Sequence, residues 1–485
     1  MKSSRSLSVS VFSSKTFKDK DGASKGLFFE PELNFEKELF NACAKYECPG
    51  IVINKGVQND NFYKNLKAQD PRKKVVVRKS ATTVSTTVVT DELRKPDDVT
   101  GSTSTMFFSD EAALLVVDAL YDNQDELAEI IISRAKDIPR KLMQCIGLLC
   151  PYFKYLTKIS IIKSSLNVYT LHELSKILQV SHLSDVYLDE SFLSEANYAI
   201  LLNEKTKLRN LSLSKCRIND DVCGLIASKL GFTAPAAKSL ILLNLSSNHI
   251  TDIGMKSLAK ALRTNRCLRY LNLADNRITD DGAFQLLDVL KEFPLTCDEI
   301  KQKRARYIHY LREKRAIYMD YFDDDTRSLD EYSRKSTTSK RSKTSAVSTI
   351  ASTKKSKKGT DLDTATRAEL MSLELLGPYV DPYSPDCTKI KDGSSYCLGN
   401  LTLAYLNLAY NSLSYLSLKR IKTVLLYQSG IKIPNSGLMK LVIDGNPFPN
   451  CNEFDMIGQL LVNNVFRASP EGKRKPSAPV KPTKK

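Results

Sequence analysis

Cysteine and histidine are among the residue types in this chain that could ligate a metal or pair a nucleophile with its base. Cys145 and Cys150 are separated by four residues and Cys387 and Cys397 by nine, but no C-x-x-C pair or nearby histidine completes a zinc set. The total of eleven cysteines is odd and no secretory signal is evident, so we expect reduced thiols. The spacing therefore predicts neither a structural metal site nor a bound cofactor.

The common catalytic and nucleotide-binding motifs are also missing from the sequence. The sequence has no H-E-x-x-H, G-x-S-x-G, G-x-x-x-x-G-K-[ST] or G-x-G-x-x-G pattern. The four histidines, which have no evident paired nucleophile, are His172, His182, His249 and His309. We predict that His249, which follows a turn asparagine, is a solvent-facing turn residue. The chain is accordingly predicted not to be an enzyme.

The net charge of +17 suggests nucleic-acid binding until the charges are located along the chain. Residues 333–358 contain nine Lys and Arg and no acid, and residues 465–485 contain seven against Glu471 alone. These two segments hold 15 of the 17 charges, so the remaining body is nearly neutral. A polyanion would bind through these segments rather than through a folded groove, and nucleic acid is not the partner that we expect.

Hydropathy and the start of the chain bear on localisation. No run approaches the roughly 18 consecutive apolar residues of a membrane span, and the first residues lack a continuous apolar segment. We therefore expect a cytoplasmic protein without a membrane span, with the nucleus as an open alternative. The Ser-rich start, without an acid before Asp19, leaves a mitochondrial presequence as a less favoured alternative to an ordinary disordered terminus.

A repeat supplies the elements that must position any binding residues. The pattern L-x-x-L-x-L-x-x-N/C-x-L has seven copies, which begin at Leu156, Leu183, Leu208, Leu240, Leu268, Leu403 and Leu438. L-x-L puts both leucines on the buried face of a short strand, and the segment after the turn has helical spacing. Because a helix is wider than a strand, the stack must curve. The sequence thus predicts an α/β leucine-rich-repeat horseshoe of about seven repeats, with parallel strands on the concave wall and helices on the convex side.

One polar position follows each strand, where the chain turns. In five repeats this turn position is occupied by Cys216, Asn248, Asn276, Asn411 and Asn446. A buried Asn there can bond backbone groups of the turn that otherwise lack partners. We expect Ser164 and Ser191, which take this place in the two degenerate copies, to do so less well.

The residues between the leucines face outward and are those that a partner would touch. Along the concave wall these candidate protein-binding residues are Lys158, Asp185, Tyr187, Asn210, Ser212, Asn244, Tyr270, Asn272, Tyr405 and Asn407. Tyrosine combines a large rigid area with a hydroxyl, which suits protein interfaces. The alternative is that Asn in L-N-L is an exposed strand residue of the repeat that has no role in binding.

Composition divides the rest of the chain. The predicted regions are a largely disordered or weakly structured N-terminal region at 1–109, a helical N-terminal cap at 110–155, repeats one to five at 156–297, a basic amphipathic helix at 298–324, a disordered Lys-, Ser- and Thr-rich insertion at 325–400, repeats six and seven at 401–464, and a basic disordered tail at 465–485. Within the first region, the segment Asn34 to Lys55 suggests a small helix and strand, and KKVVVRKSATTVSTTVVT a strand that cannot be placed.

The insertion need not separate the repeats that flank it. Closing a loop of about a hundred residues costs only roughly 4 kcal/mol plus a constant. Burying several leucines at about 1.5 to 3 kcal/mol each offsets that cost. We therefore predict that the last two repeats stack on the fifth.

Several stretches between Leu156 and Arg306 go beyond the generic repeat, among them ITDIGMKSLAKALRTN, LRYLNLADNRITDDGA and FPLTCDEIKQKR. In these the chain resembles the family of leucine-rich repeat-containing protein 71, whose ribonuclease-inhibitor-type repeats are also interrupted by a Lys- and Ser-rich insertion. The resemblance implies an axonemal component of motile cilia and supplies no catalytic or ligand residues. More distantly, the repeats are similar to those of ribonuclease inhibitor and of the activating proteins of the small GTPase Ran.

Three functional hypotheses follow. The first is a non-catalytic protein-binding scaffold of the ciliary axoneme, whose basic segments contact acidic tubulin tails. The second is a soluble regulator of an enzyme or small GTPase that binds through the concave wall. The third is a nuclear protein that uses its Lys-rich tracts, and it requires affinity that falls steeply with salt.

Overall fold

The computed structural model of the 485-residue chain describes residues 34–57, 115–337 and 364–468, apart from residues 49, 204, 205, 432, 434, 435 and 450. The strand expected in KKVVVRKSATTVSTTVVT lies outside the described residues, as do the first 33 residues and most of the two basic segments. Among the helices of the described part, none is long and apolar enough to cross a membrane.

Ten strands form one sheet that runs through the whole described body. In spatial order they are β1 (Ile51–Val57), β2 (Leu115–Tyr121), β3 (Leu127–Ser133), β4 (Lys158–Ile162), β5 (Asp185–Tyr187), β6 (Asn210–Ser212), β7 (Leu242–Asn244), β8 (Tyr270–Asn272), β12 (Tyr405–Asn407) and β13 (Lys440–Val442). Neighbours are parallel except for β2 and β3. A second, three-stranded sheet joins β9 (Phe293–Pro294), β10 (Thr388–Lys391) and β11 (Ser394–Cys397).

Helices follow most strands of the large sheet. They are α1 (Phe35–Lys45), α2 (Arg140–Leu149), α3 (Val168–Val180), α4 (Asp220–Ser228), the short α5 (Ala236–Ser239), α6 (Asp252–Leu262), α7 (Asp280–Val289), α8 (Cys297–Thr337), α9 (Thr364–Leu376), α10 (Tyr415–Gly430) and α11 (Asn452–Ala468). Strand and helix alternate through the repeats, with 3-10 turns in place of a helix after β5. The predicted α/β horseshoe is confirmed.

Leucines of successive strands stack to form the core. Leu211, Leu243, Leu271 and Leu406 are register partners on adjacent strands, and all four are fully buried. Each buried leucine side chain contributes about 1.5 to 3 kcal/mol of transfer free energy. Because every strand adds the same row, one continuous core extends from β1 to β13.

The repeats on either side of the insertion are direct neighbours. β12 pairs in parallel with β8, and Tyr405 lies opposite Tyr270. The Oδ1 atom of Asn411 accepts from the backbone N–H of Asn276 at 3.2 Å, across 135 positions of sequence. The prediction that the last two repeats stack on the fifth is therefore confirmed.

A left-handed residue precedes the turn position in every repeat. In order these residues are Lys163, Glu190, Lys215, Ser247, Asp275, Tyr410 and Gly445, with φ between 54° and 75°. An L-residue in this region costs roughly 1 to 2 kcal/mol, so the surrounding contacts must enforce the turn. Gly445 is the one member without that cost, and a Cβ there would come within 2.3 Å of the Tyr410 ring.

The helical cap predicted for residues 110–155 is wrong in its first half. The segment forms the strands β2 and β3, and only its later part is the helix α2. Burial alternates along β2, because Leu115, Val117, Ala119 and Tyr121 face the core, and this period of two is that of a strand. The run was short enough to fit either structure.

β3 and α2 together form an additional degenerate repeat. β3 is parallel to β4, and Arg134 after it has φ 56° as in the other repeats. Ala135 occupies the turn position, and its N–H donates to Ser164 Oγ at 3.1 Å. The stack thus begins one unit before Leu156.

The described part of the region before residue 110 contains the expected small helix and strand, and the strand forms the first edge of the sheet. The side chain of Asn34 accepts from the N–H of Lys37 at 2.9 Å and caps α1, whose Phe35 and Leu39 are fully buried. β1 then pairs in parallel with β2.

The predicted disorder of residues 325–400 is wrong for residues 325–337 and 364–400. α8 extends to Thr337, beyond the expected end at 324, and α9 packs against it. The contacts of Tyr310 with Gly377 and of Lys314 with Glu369 show that the two helices are antiparallel. Apolar residues at helical spacing in TATRAELMSLELL separate this segment from the Lys- and Ser-rich part before it.

Candidate functional site: the concave wall

The outward residues of the large sheet form two rows across the concave wall. The first row runs through Glu129, Lys158, Asp185, Asn210, Leu242, Tyr270, Tyr405 and Lys440. The second runs through Ser160, Tyr187, Ser212, Asn244, Asn272 and Asn407. All ten predicted binding residues therefore lie on one surface, in register from strand to strand.

The N-terminal end of the wall is closed by a buried ion pair. Lys158 Nζ lies 2.9 Å from Glu129 Oε1, and Ser160 Oγ donates to the same oxygen at 2.6 Å. Lys158 Nζ also lies 4.7 Å from the centre of the Tyr187 ring. Only 4% of Lys158 is exposed. These side chains satisfy one another, so a partner has little access to them.

The middle of the wall is a chain of hydrogen bonds between neighbouring strands. Asn210 Nδ2 donates to Asp185 Oδ1 at 2.5 Å, and Asn244 Nδ2 donates to Ser212 Oγ at 2.8 Å. Ser212 Oγ in turn donates to Asp189 Oδ1 at 2.5 Å. Burial raises the pKa of both Asp185 and Asp189 above its usual value. Polar residues here hold the sheet together from its surface.

The C-terminal end of the wall is open and aromatic. Tyr270 is 44% exposed, and its ring centre lies 6.0 Å from that of the half-buried Tyr405. The exposed Lys440 places Nζ 5.5 Å from the Tyr405 ring on its other side. We call these three residues the tyrosine patch. The half-buried Leu242 is the register partner of Tyr270 on the next strand.

The structure thus divides the predicted binding residues by accessibility. Lys158, Tyr187, Ser212 and Asn244 are buried. Tyr270 is exposed, and the remaining members, all half-buried, are Asp185, Asn210, Asn272, Tyr405 and Asn407. Sequence reasoning missed Lys440, although it occupies in the seventh repeat the position that Tyr405 has in the sixth.

Asn272 and Asn407 also have a local role at the ends of their strands. The Oδ1 atom of Asn272 accepts from the N–H of Ala274 at 3.2 Å, and that of Asn407 accepts from the N–H of Ala409 at 3.0 Å. Each side chain therefore stabilises the turn that follows its strand.

The turn residues connect each repeat to the one before it. Asn248 Oδ1 accepts from the N–H groups of Cys216 and Ile218 at 3.0 Å, and its Nδ2 donates to Leu213 O at 2.9 Å. Asn411 and Asn446 repeat this arrangement, and Asn276 does so with one accepted N–H, that of Ile250. The Cys216 thiol reaches Leu188 O at 3.1 Å. Ser191 Oγ accepts one N–H and donates to one carbonyl of the preceding repeat.

A second ladder joins the starts of the repeat helices and was not predicted. Asp220 accepts from the N–H and hydroxyl of Thr251, and Asp252 accepts from those of Thr279 in the same way. Asp280 accepts from Ser414 and Ser417 across the insertion. The signal in the sequence is the recurrence of I-N-D and I-T-D, in which the last Asp begins a helix.

A cluster of ionic side chains fixes the insertion to the convex side. The Arg263 guanidinium holds Glu299 with two contacts of 2.6 and 2.7 Å, and the Tyr383 hydroxyl donates to Glu299 at 2.7 Å. Burial opposes ionisation of Glu299, yet these hydrogen bonds hold its pKa at about 2. Arg306 pairs with Asp381 at 2.6 Å further along α8.

Histidine and cysteine side chains are distributed differently in the structure. The four histidines are exposed and lie on different elements. All eleven cysteines fall within the described residues, and none forms a disulfide. Cys43, Cys48 and Cys145 lie together, with their sulfur atoms within 4.8 Å of one another. Cys43 and Cys48 have the same four-residue separation as Cys145 and Cys150, and Cys145 supplies the third thiol of the cluster.

A family model described as Leucine Rich repeat matches residues 237–259 and 264–287, which contain β7, β8 and most of their helices. The chain carries a leucine-rich-repeat domain. Among solved structures, it is similar to "Leiomodin-1 Actin-Binding Site 2 (ABS2)", with 22% identity over 25% of this chain and 69% of that one, at a TM-score of 0.22.

A second similar structure is an internalin (inlF) from Listeria monocytogenes. It is 12% identical over 68% of this chain and 85% of its own length, with a TM-score of 0.21. A comparison with curated proteins gave no match.

Proposed function

We propose that the chain is a non-catalytic scaffold that binds a protein partner through the tyrosine patch at the open end of its concave wall. The observation that carries this proposal is the contrast in accessibility along one surface. Polar side chains at the closed end are buried against one another, whereas Tyr270 and Lys440 are exposed. Leucine-rich-repeat horseshoes present such concave surfaces to partners.

The chemistry of the patch indicates the kind of segment that it would bind. Tyr270 and Tyr405 offer flat aromatic area with hydroxyl groups, and Leu242 adds an apolar neighbour. Lys440 adds one positive charge at the rim. A protein segment with an apolar or aromatic side chain next to a carboxylate would satisfy all of these groups.

The partner can be located by crosslinking. A photoreactive amino acid at position 270 should trap the partner in cell extracts, whereas one at the similarly exposed Tyr307 on α8 should not. Tyr270→Ala and Tyr405→Ala should then weaken binding of the trapped partner by at least tenfold, as central aromatic residues of interfaces do. Tyr307→Ala is the matched control. Equal trapping from both positions would contradict the proposal.

We further propose that the scaffold belongs to the leucine-rich repeat-containing protein 71 family and serves in the ciliary axoneme. Support comes from the motifs between Leu156 and Arg306 and from the placement of the insertion. The two basic segments, with net charges of +9 and +6, suit the acidic tails of tubulin.

Detergent extraction of ciliated cells tests this location. An axonemal scaffold should remain with the microtubule doublets at moderate salt. Complete release, with the tyrosine patch still binding its partner, would favour a soluble regulator of an enzyme or small GTPase. A nuclear role would require binding that is steeply salt-dependent and disappears when residues 333–358 and 465–485 are deleted.

A further inference from the structure

Three cysteine thiols converge at the N-terminal end of the molecule, away from the tyrosine patch. Cys43 is in α1, Cys48 follows that helix, and Cys145 lies in α2. Within the described residues, their sulfur atoms lie within 4.8 Å of one another. The sulfurs of Cys48 and Cys145 are 3.8 Å apart, although 97 positions of sequence separate them. Cys43 and Cys145 are buried, and Cys48 is partly exposed.

The end of α1 explains why two of the thiols meet. The N–H of Cys48 donates to the carbonyl of Cys43 at 2.9 Å, and that of Glu47 donates to Ala44 at 3.3 Å. Glu47 itself is left-handed, with φ 53°. This pair of bonds is a Schellman motif, in which the residue beyond the helix folds back against its last turn. One turn therefore supplies two ligands at a C-x4-C spacing, within the range that zinc sites use.

The distances suit a metal ion without rearrangement of the backbone. Zn–S bonds of about 2.3 Å in tetrahedral geometry place two sulfurs about 3.8 Å apart. The separation of Cys48 from Cys145 already has this value, at 3.8 Å. Since the other separations are at most 4.8 Å, small side-chain rotations would complete the set.

The cluster has a basic side chain beside it and a path to solvent. Lys141 precedes Cys145 by one helical turn on α2, and both residues line the same cleft. Lys141 would offset the single negative charge that three thiolates and one divalent ion leave. A cleft lined by Tyr46, Lys141 and Cys145 reaches the cluster from outside.

We propose that Cys43, Cys48 and Cys145 form a metal site that binds one Zn²⁺ ion through three thiolates, with a fourth position open to solvent. Binding replaces the three thiol protons with the ion and changes no oxidation state. The ion would connect α1 to α2 and so fix the first edge of the sheet to the additional repeat. This site is independent of the tyrosine patch.

The test uses the full chain, reduced and stripped of metal by a chelator, and titrated with Co²⁺. The thiolate-to-cobalt absorption should saturate at one ion per chain and be displaced by Zn²⁺. Zn²⁺ should also raise the melting temperature by several degrees, because it binds the folded state. Cys145→Ala should abolish the cobalt absorption, and Cys297→Ser, at an exposed cysteine, should leave it unchanged.

A second variant keeps the test decisive if Cys145→Ala does not fold. Cys48→Ser changes the partly exposed ligand, so it should keep the circular dichroism spectrum while weakening Co²⁺ binding at least tenfold. The proposal is overturned if the wild-type chain gives no thiolate-to-cobalt absorption, or if a folded Cys48→Ser variant binds as well as wild type. A disulfide between Cys48 and Cys145 in protein isolated without reductant would overturn it too.

Discussion

The two ends of the concave wall use the same repeat positions for opposite purposes. At the closed end, Glu129 and Lys158 are register partners on β3 and β4, and both are buried in an ion pair. At the open end, Tyr270 and Tyr405 are register partners on β8 and β12, and Tyr270 remains exposed. An outward position in this repeat is therefore not by itself a binding position, because neighbours can bury it.

The largest effect is expected from breaking the ion pair at the closed end. Lys158→Met leaves Glu129 buried and without its countercharge, so we expect a loss of about 3 to 5 kcal/mol in the free energy of unfolding. Urea titration of the purified chain measures it. Lys440→Met changes the same repeat position in the last strand and is the control, with an expected change within about 0.5 kcal/mol.

A double variant separates the effect of charge from the effect of packing. Glu129→Leu combined with Lys158→Met removes both charges, and most of the lost stability should return because no unpaired charge remains. If the double variant is as unstable as Lys158→Met, packing rather than charge accounts for the closed end.

The next largest effect concerns the turn residues, which also differ between the two ends. Asn276 Nδ2 donates to three carbonyls and its Oδ1 accepts from Ile250 N–H, whereas Ser191 Oγ accepts one N–H and shares its proton between two carbonyls. We expect Asn276→Ala to cost about 2 to 4 kcal/mol and Ser191→Ala about 1 to 2 kcal/mol, as buried groups lose their partners. Thermal unfolding compares the two. Equal losses would show that serine serves the turn as well as asparagine.

The fold was predictable because the leucine pattern recurs seven times with the spacing of a leucine-rich repeat. L-x-L fixed the buried rows, and the turn asparagines marked where each strand ends. β2 and β3 were not recognised, since runs such as LVVDALY and LAEIIIS are too short to separate strand from helix by pattern. α9 and the small sheet were obscured by the Lys- and Ser-rich sequence before them.

The candidate site was predictable in position but not in accessibility. Alternation places Lys158 and Tyr270 on the same face, yet only the positions of their neighbours decide that one is buried and the other exposed. The cysteine cluster required knowing that α1 packs against α2, because Cys145 is 97 positions from Cys48. Contacts between distant segments of this kind leave no periodic signal.

A smaller effect is expected where the insertion joins the open half of the horseshoe. The pKa of Glu299 is about 2, below its usual 4.5, so its ionised form stabilises the fold. That contribution is complete above about pH 4.5 and disappears as the pH falls from there toward 2. Glu299→Gln should cost about 1 to 2 kcal/mol at pH 7 and flatten the loss of stability in this acid range. An unchanged acid profile would show that other carboxyl groups dominate it.

The smallest effect on stability is expected at the tyrosine patch itself. Tyr270→Ala removes a side chain that is 44% exposed, and we expect a change in the free energy of unfolding of no more than about 0.5 kcal/mol. The same variant should lose partner binding, and this separation of stability from affinity is the mark of a recognition residue. A loss of several kcal/mol would instead place Tyr270 with the closed end.

The length of α8 places its two ends far apart. Its 41 residues would extend about 60 Å at 1.5 Å per residue, and the Lys-rich segment continues from its far end. A target bound at the Thr337 end of α8 would lie about 60 Å from the Cys297 end, where the helix joins the repeats, so the tyrosine patch could be occupied at the same time. Each contact would then raise the local concentration of the other target, and two weak attachments would act as one strong, bivalent one. The helix would serve as a spacer that sets how far apart the two targets must lie.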